Sequence, residues 1–92
     1  MKMSSTKRRY RTAVGLAYLP GQDGAPSVEV KGEDLIAEKI VQTAHRFGVP
    51  VVEDRNLARA LNSLELDQQI PESLFEAVAV VLNQIEASTN RK

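Results

Sequence analysis

The residues of this sequence that could do chemistry begin with an adjacent acidic pair, Glu53-Asp54. Two carboxylates side by side can hold Mg²⁺ or act as general acid and base. No glycine-rich phosphate loop or further ligand group accompanies them in the sequence. Asp54 also stands directly before a helical pattern, where a carboxylate accepts hydrogen bonds from free backbone N–H groups. We therefore expect Asp54 to be a helix N-cap, with a magnesium or acid–base site as the alternative.

The only histidine, His45, lies in the last turn of a predicted helix, where positive charge suits the helix dipole. A catalytic base would need an orienting partner within hydrogen-bond reach, and the sequence offers none that can be identified. The absence of cysteine excludes disulfides, thiol catalysis and cysteine metal sites. We predict that His45 is a surface residue, that the protein is not an enzyme, and that it has neither cofactor nor metal.

A basic run, KRRYR at residues 7–11, stands near the N-terminus. A solvated N-terminal arm is the favoured interpretation, and a contact with nucleic acid or lipid is the alternative. Over the whole chain twelve basic and twelve acidic residues cancel. A neutral domain is not steered as a whole towards nucleic acid, so no nucleic-acid partner is expected.

The length of 92 residues allows one domain and a modest core. Only four residues are aromatic, so the core must be aliphatic. The first residues lack the apolar segment of a secretory signal. No apolar run approaches the ~18–20 residues that a membrane span needs. The sequence therefore predicts a cytoplasmic protein that does not insert into a membrane.

Two strands are predicted in the first third of the chain, at residues 12–18 and 27–31. In the first, Val14, Leu16 and Tyr18 alternate with small residues, so the large side chains share one face and the small ones allow close packing on the other. The Gly- and Pro-rich segment 19–26 between them is a loop. Because short connections favour antiparallel neighbours, the two strands should pair.

A first helix is predicted after Gly32, opened by Glu33 and Asp34 and ended by Gly48. Its predicted apolar stripe consists of Leu35, Ile36, Ile40, Val41, Ala44 and Phe47. Residues 49–53 then form a third short strand. Because Pro50 has no N–H, this is either an edge strand or one that pairs only from Val51 onward.

A second helix to about residue 63 and a last helix over about 72–86 complete the chain. The last helix is apolar on more than one side, with Ala77, Ala79, Val80 and Val81 beyond a normal stripe. Either another element covers its second side, or an exposed patch there serves binding. The order β-β-α-β-α-α predicts a small α/β domain, a mixed sheet of about three strands flanked by helices. The expected division is a flexible basic arm at 1–11, the domain at 12–86 and a flexible tail at 87–92.

Five segments in fixed order carry a family resemblance: AVGLAY, GAPSVEVKG, FGVPVVED, NLARAL and QQIPESLFEAVAVVL. Over roughly residues 12–85 the chain resembles the C-terminal cytoplasmic domain of the FlhB family, the substrate-specificity switch of the flagellar type III export apparatus, with relatives in the injectisome. The resemblance implies a non-catalytic interaction domain in type III protein export.

The chain departs from the family at the self-cleavage loop. Family members cut themselves at an Asn-Pro-Thr-His sequence before the strand that matches Ala13–Tyr18, after a membrane part and a further strand. Here the corresponding positions are about Arg8, Arg9, Tyr10 and Arg11. Without Asn followed by Pro, the cyclisation that cleaves the chain cannot occur. The resemblance therefore implies a stand-alone counterpart of the post-cleavage fragment, which substitutes for it or assists it.

The resemblance also implies a small hydrophobic patch that receives export substrates. Its residues here would be Ala25, Pro26, Ala79 and Leu82. Val80 departs from the family, which often has an acidic residue there, and Leu82 is equally compatible with a plain core position.

Expected partners are components of the export gate, export substrates, and the N-terminal part of FlhB. The sheet edge left by the missing strand would be filled either by a strand of that partner or by the chain's own N-terminal arm, which is the poorer candidate because KRRYR has no apolar alternation. The alternative function is a small RNA-binding α/β domain, because a helix leading into GVPVV also occurs in ribosomal proteins. The neutral charge argues against that alternative.

Overall fold

The computed structural model describes residues 11–19 and 21–89. Its elements are β1 (Thr12–Ala17), β2 (Ser27–Glu33), α1 (Leu35–Arg46), α2 (Arg55–Asn62), a 3₁₀ turn (Glu72–Leu74) and α3 (Phe75–Thr89). The predicted small α/β class is confirmed. The last helix continues to Thr89, three residues beyond its predicted end. The predictions for the arm at residues 1–10 and for residues 90–92 lie outside the described residues.

Strands β1 and β2 pair antiparallel, as predicted, with Thr12 opposite Glu33 and Gly15 opposite Val30. A bulge follows Gly15, where Leu16 pairs with Val28 and Glu29 is the extra residue. The predicted end of β2 before Gly32 is wrong, because the strand continues to Glu33. Gly32 is needed there for its lack of a side chain, since a Cβ would lie 2.2 Å from Cγ2 of Ile36 in α1.

The predicted third strand at residues 49–53 is wrong for the described part of the chain, where the sheet has two strands. Pro50 has no N–H for a ladder, and the segment makes no ladder with either described strand. The start of β2 instead forms backbone hydrogen bonds with a later segment of the chain. The segment 67–70 runs along the start of β2, with Val28 N–H donating to Gln68 O at 2.9 Å and Ile70 N–H donating to Pro26 O at 2.9 Å.

The sheet separates two aliphatic clusters, because neighbouring side chains of a strand point to opposite faces. On the face with the small residues, Ala13 packs with Ala37 and Val41 of α1, as the alternation predicted. On the other face, Val14 and Leu16 pack against the cluster that holds α2 and α3, whose buried members are Ala25, Leu57, Leu61, Ile70 and Val78. Every buried hydrophobic residue of the described chain is aliphatic.

The predicted apolar stripe of α1 is only partly buried. Of its six residues only Val41 is buried, whereas Leu35, Ile36 and Phe47 are 61%, 54% and 72% exposed. Ala37, which the predicted stripe did not include, is fully buried. The physical reason for the exposure is the width of the sheet, since two strands can cover only a narrow strip of a helix. The predicted helix end is confirmed, because Gly48 follows α1 with a φ of 73°.

Helix α2 is held at both ends. Asp54 Oδ1 accepts a hydrogen bond from Leu57 N–H at 3.1 Å, which confirms the predicted N-cap. At the other end the Lys31 ammonium of β2 donates to the carbonyl oxygens of Asn62, at 3.0 Å, and Leu64, at 2.6 Å. The Lys31 side chain therefore joins β2 to the carboxyl end of α2.

Asp34 joins β2 to α1 with φ 52° and ψ −118°, a conformation that residues with a Cβ rarely adopt, and its side chain makes no cap hydrogen bond. We predict that Asp34→Gly is more stable than Asp34→Ala by roughly 1 kcal/mol. Both variants lose the carboxylate, and relief of backbone strain in glycine exceeds its entropy cost in the unfolded chain. Chemical denaturation of the two proteins measures the difference. A more stable alanine variant would show that this backbone conformation is not strained.

Candidate functional site

The outer edge of β1 is the first candidate surface. Asp34 N–H donates to Arg11 O at 2.9 Å, so Thr12 and Glu33 form a pair without hydrogen bonds between them. By the alternation of antiparallel ladders, Ala13 and Gly15 bond to β2, whereas the N–H and C=O groups of Thr12 and Val14 point away from it. No strand of the described residues pairs with that side. The edge therefore offers backbone donors and acceptors to an added strand.

The corner beside this edge is partly closed by the connection between α1 and α2. Val51 packs against the cluster of Ala13, Ala37 and Val41, so the connection reaches the face of β1 that α1 covers. Val51 and Val52 are half-buried, while Val49 is exposed. The residues predicted as the third strand thus lie close to β1 without pairing with it.

The second candidate surface was predicted at Ala25, Pro26, Ala79 and Leu82. Ala25 is only 7% exposed and belongs to the core cluster on the α2 and α3 side of the sheet. Pro26 is also buried. Leu82 is half-buried and packs against the same cluster, whereas Ala79 is exposed. The structure therefore brings Ala25 and Leu82 to one cluster, and of the four residues it leaves only Ala79 fully available to a ligand.

Helix α3 has an exposed apolar surface. Its composition had allowed two interpretations, a second side covered by another element or an exposed patch that serves binding. Val78 is buried, but Phe75, Ala79 and Val80 are exposed in the described chain, so its second side is not covered there. Phe75, Ala79 and Leu82 follow one another at helical spacing and form a ridge beside the core. The excess of apolar residues in this helix was the signal that some of them would remain outside.

Two of the residues first considered for chemistry, His45 and Asp54, have defined positions in the described chain. His45 is exposed, as predicted, and Asp54 caps α2. Within residues 11–19 and 21–89, no group of three or more His, Cys, Asp or Glu side chains is arranged to hold a metal ion. No helix in the same residues has the length and apolar character needed to cross a bilayer.

Residues 10–85 match the FlhB HrpN YscU SpaS family. The chain is 40% identical over 86 residues to the protein YlqH of Bacillus subtilis (strain 168), covering 89% of this chain and 92% of YlqH. It is 41% identical to the flagellar biosynthetic protein FlhB of Aquifex aeolicus (strain VF5), covering 76% of this chain and 20% of that protein. It is 45% identical to the secretion system apparatus protein SsaU of Salmonella typhimurium (strain LT2), covering 79% and 21%.

The fold is similar to that of crystallised domains. The PscU C-terminal domain superposes with a TM-score of 0.76 at 36% identity, covering 82% of this chain and 96% of that one. A variant of the EscU C-terminal domain superposes with a TM-score of 0.77 at 35% identity, covering 84% and 72%. The chain thus spans about a fifth of the length of its flagellar and secretion relatives, and the part it spans has the fold of their C-terminal domains. By sequence and by fold, this chain belongs to the FlhB HrpN YscU SpaS family.

Proposed function

We propose that this chain is a non-catalytic interaction domain of a type III protein export apparatus, which substitutes for or assists the matching C-terminal domain of a full-length relative. Its partners would be components of the export gate at the cytoplasmic side of the membrane, together with export substrates. The flagellar and secretion relatives favour this function over the alternative of an RNA-binding domain.

The observation that carries the proposal is the open outer edge of β1. An edge strand with free N–H and C=O groups invites another strand, and strand addition is a common mode of peptide recognition. The proposed occupant is the segment of the full-length relative that lies just ahead of its cleavage loop. Such a strand would enter beside Thr12 and Val14, close to the half-buried connection around Val51.

The test uses a synthetic peptide spanning that segment of the full-length relative from the same organism. Hydrogen exchange should slow at the amides of Thr12 and Val14 when the peptide binds, and change little at Ala13 and Gly15, which already bond to β2. Thr12→Pro removes one outward N–H at the first residue of the strand, where proline is tolerated, and should weaken binding about tenfold. Thr12→Ala keeps the N–H and should bind like the parent protein. Equal binding by Thr12→Pro, or protection confined to another element, would contradict strand addition.

The proposed contact for export substrates is the ridge of α3 together with the predicted patch of Ala25, Pro26, Ala79 and Leu82. Because Ala25 and Pro26 are buried, direct contact would fall on Ala79, Leu82 and the adjoining Phe75. Ala79→Glu places a charge on this exposed ridge and should weaken capture of a purified early export substrate at least tenfold. Gln84→Glu makes a similar change at another exposed position of α3 and serves as the matched control. Equal loss of substrate capture in both variants would show that the ridge is not the contact for export substrates.

We also predict that the protein does not cleave itself. The sequence contains no Asn-Pro step, and Arg8, Arg9, Tyr10 and Arg11 stand where the family has its cleavage loop. Intact-mass spectrometry of purified protein after prolonged storage should therefore find a single full-length species. A clean break between residues 6 and 13 would show that the chain carries out a cleavage of its own.

A further inference from the structure

The loop between β1 and β2 contains the only Asp-Gly step of the chain, Asp23-Gly24. Both residues are exposed, and both lie outside the helices and strands. An aspartate side chain can react with the backbone nitrogen of the next residue, and glycine there has no Cβ to hinder closure of the five-membered ring. The loop therefore carries a reactive pair that the proposed function does not use.

The backbone nitrogen of Gly24 is available as the nucleophile. Within residues 11–19 and 21–89, no acceptor receives a hydrogen bond from the Gly24 N–H. The space around Gly24 is also open, because a Cβ built there would meet no heavy atom within 4 Å beyond the adjoining residues of the chain. A ring that joins this nitrogen to the Asp23 side chain therefore has room to form.

The carboxyl group of Asp23 is held in place by a tight turn. The N–H groups of Gln22 and Asp23 donate to Leu19 O at 3.0 and 2.9 Å. In the opposite direction, Leu19 N–H donates to Asp23 Oδ2 at 3.0 Å. Oδ2 takes on negative charge when a nucleophile attacks Cγ, and a backbone N–H at this distance stabilises such an oxyanion. The turn thus orients the carboxyl group and lowers the barrier to attack.

We propose that Asp23 is a site of spontaneous conversion to isoaspartate in the folded protein. The Gly24 nitrogen attacks Cγ of the protonated carboxyl group, so that a C–N bond forms and the Cγ–Oδ1 bond breaks. Oδ1 leaves as water with its own proton and the proton of the Gly24 amide. A second water then opens the succinimide ring at the former backbone carbonyl of Asp23. One water leaves and one is added, so the mass is unchanged and no oxidant is consumed.

The product has a longer main chain at one point of the loop. The backbone then runs through Cβ and Cγ of residue 23, and the former carbonyl carbon carries the free carboxylate. The residues that follow are fixed, because Ala25 is buried and Pro26 O accepts a hydrogen bond from Ile70 N–H at 2.9 Å. The change is therefore confined to the turn, where Leu19 N–H loses its contact with Oδ2 and should exchange faster with solvent.

The test uses the full-length protein stored at neutral pH and physiological temperature. Peptide mapping with electron-transfer dissociation distinguishes isoaspartate from aspartate, and an isoaspartyl methyltransferase labels it independently. Isoaspartate should accumulate at Asp23. It should not accumulate at Asp34, Asp54 or Asp67, since each of these precedes a residue with a side chain.

Gly24→Ala is the matched variant. Its methyl group enters open space and the backbone φ is outside the left-handed region, so the fold should be unchanged. The methyl group hinders ring closure and should slow conversion about tenfold or more, which corresponds to a modest rise in the barrier. Asp23→Asn should convert faster, because ammonia leaves more readily than water, and its conversion is seen as a gain in mass.

A synthetic peptide of residues 17–27 tests the contribution of the turn. Without the fixed contact from Leu19 N–H to Oδ2, the peptide should convert more slowly than the folded protein. No isoaspartate at Asp23 in the stored protein, or equal rates in Gly24→Ala, would overturn the proposal. Faster conversion in the peptide would overturn the role of the turn. Because the chain stays intact and its mass is unchanged, none of these outcomes bears on self-cleavage or on strand addition at β1.

Discussion

Gly32→Ala is expected to lower the free energy of unfolding by about 1–3 kcal/mol, although it adds a single methyl group. A Cβ at this position would lie 2.2 Å from Cγ2 and 2.8 Å from Cβ of Ile36, and 3.3 Å from Cδ1 of Ile40. The nearest atoms belong to the branch point of Ile36, which cannot move aside without shifting α1. For a domain of this size each kcal/mol lowers the melting temperature by roughly 4–8 °C.

A double-mutant cycle can show whether the loss of stability in Gly32→Ala comes from the clash with Ile36 or from any substitution in β2. Ile36 is more than half exposed, so Ile36→Ala should itself cost little. In that background the added methyl group has room, and the cost of Gly32→Ala should fall below about 1 kcal/mol. If the two costs simply add, α1 does not approach β2 as closely as the structure indicates.

Lys31→Met is expected to destabilise the protein by about 1.5–3 kcal/mol, the usual contribution of hydrogen bonds to a charged group. Methionine keeps the apolar stem but removes the ammonium that donates to the carbonyl oxygens of Asn62 and Leu64. These carbonyls lie at the carboxyl end of α2, where a positive charge also suits the helix dipole. Urea denaturation measures the loss, and amide exchange should accelerate first in the last turn of α2.

Lys39→Met is the matched control, because Lys39 is an exposed lysine on α1. Its substitution should change stability by less than about 0.5 kcal/mol, as is usual for surface positions. A similar loss in both variants would mean that the effect of Lys31 comes from overall charge and not from its contact with α2.

The features that could be predicted from the sequence depend on short spacings. The alternation of large and small residues at 12–18 predicted close packing on the small face, which α1 provides. The short connection predicted the pairing with the next strand. The position of Asp54 before a helical pattern predicted its role as N-cap of α2, because the carboxylate and the amide of Leu57 that it accepts from are only three residues apart. The four candidate patch residues came from the family resemblance, and the sequence alone could not tell how many of them reach the surface.

The order of the two paired strands and the three α-helices and the N-cap of α2 follow from the sequence, because each depends on residues within one turn or one strand. The aliphatic core follows from the small number of aromatic residues. Which apolar residues stay outside depends on the packing of the elements. Ile36 and Phe47 belong to the same predicted stripe as Val41, but a sheet of two described strands is too narrow to cover them. The tertiary structure also decided that Lys31 holds α2 from more than thirty residues away. Burial and long-range hydrogen bonds depend on what lies opposite a side chain, and periodicity within one element carries no information about the width of its neighbour.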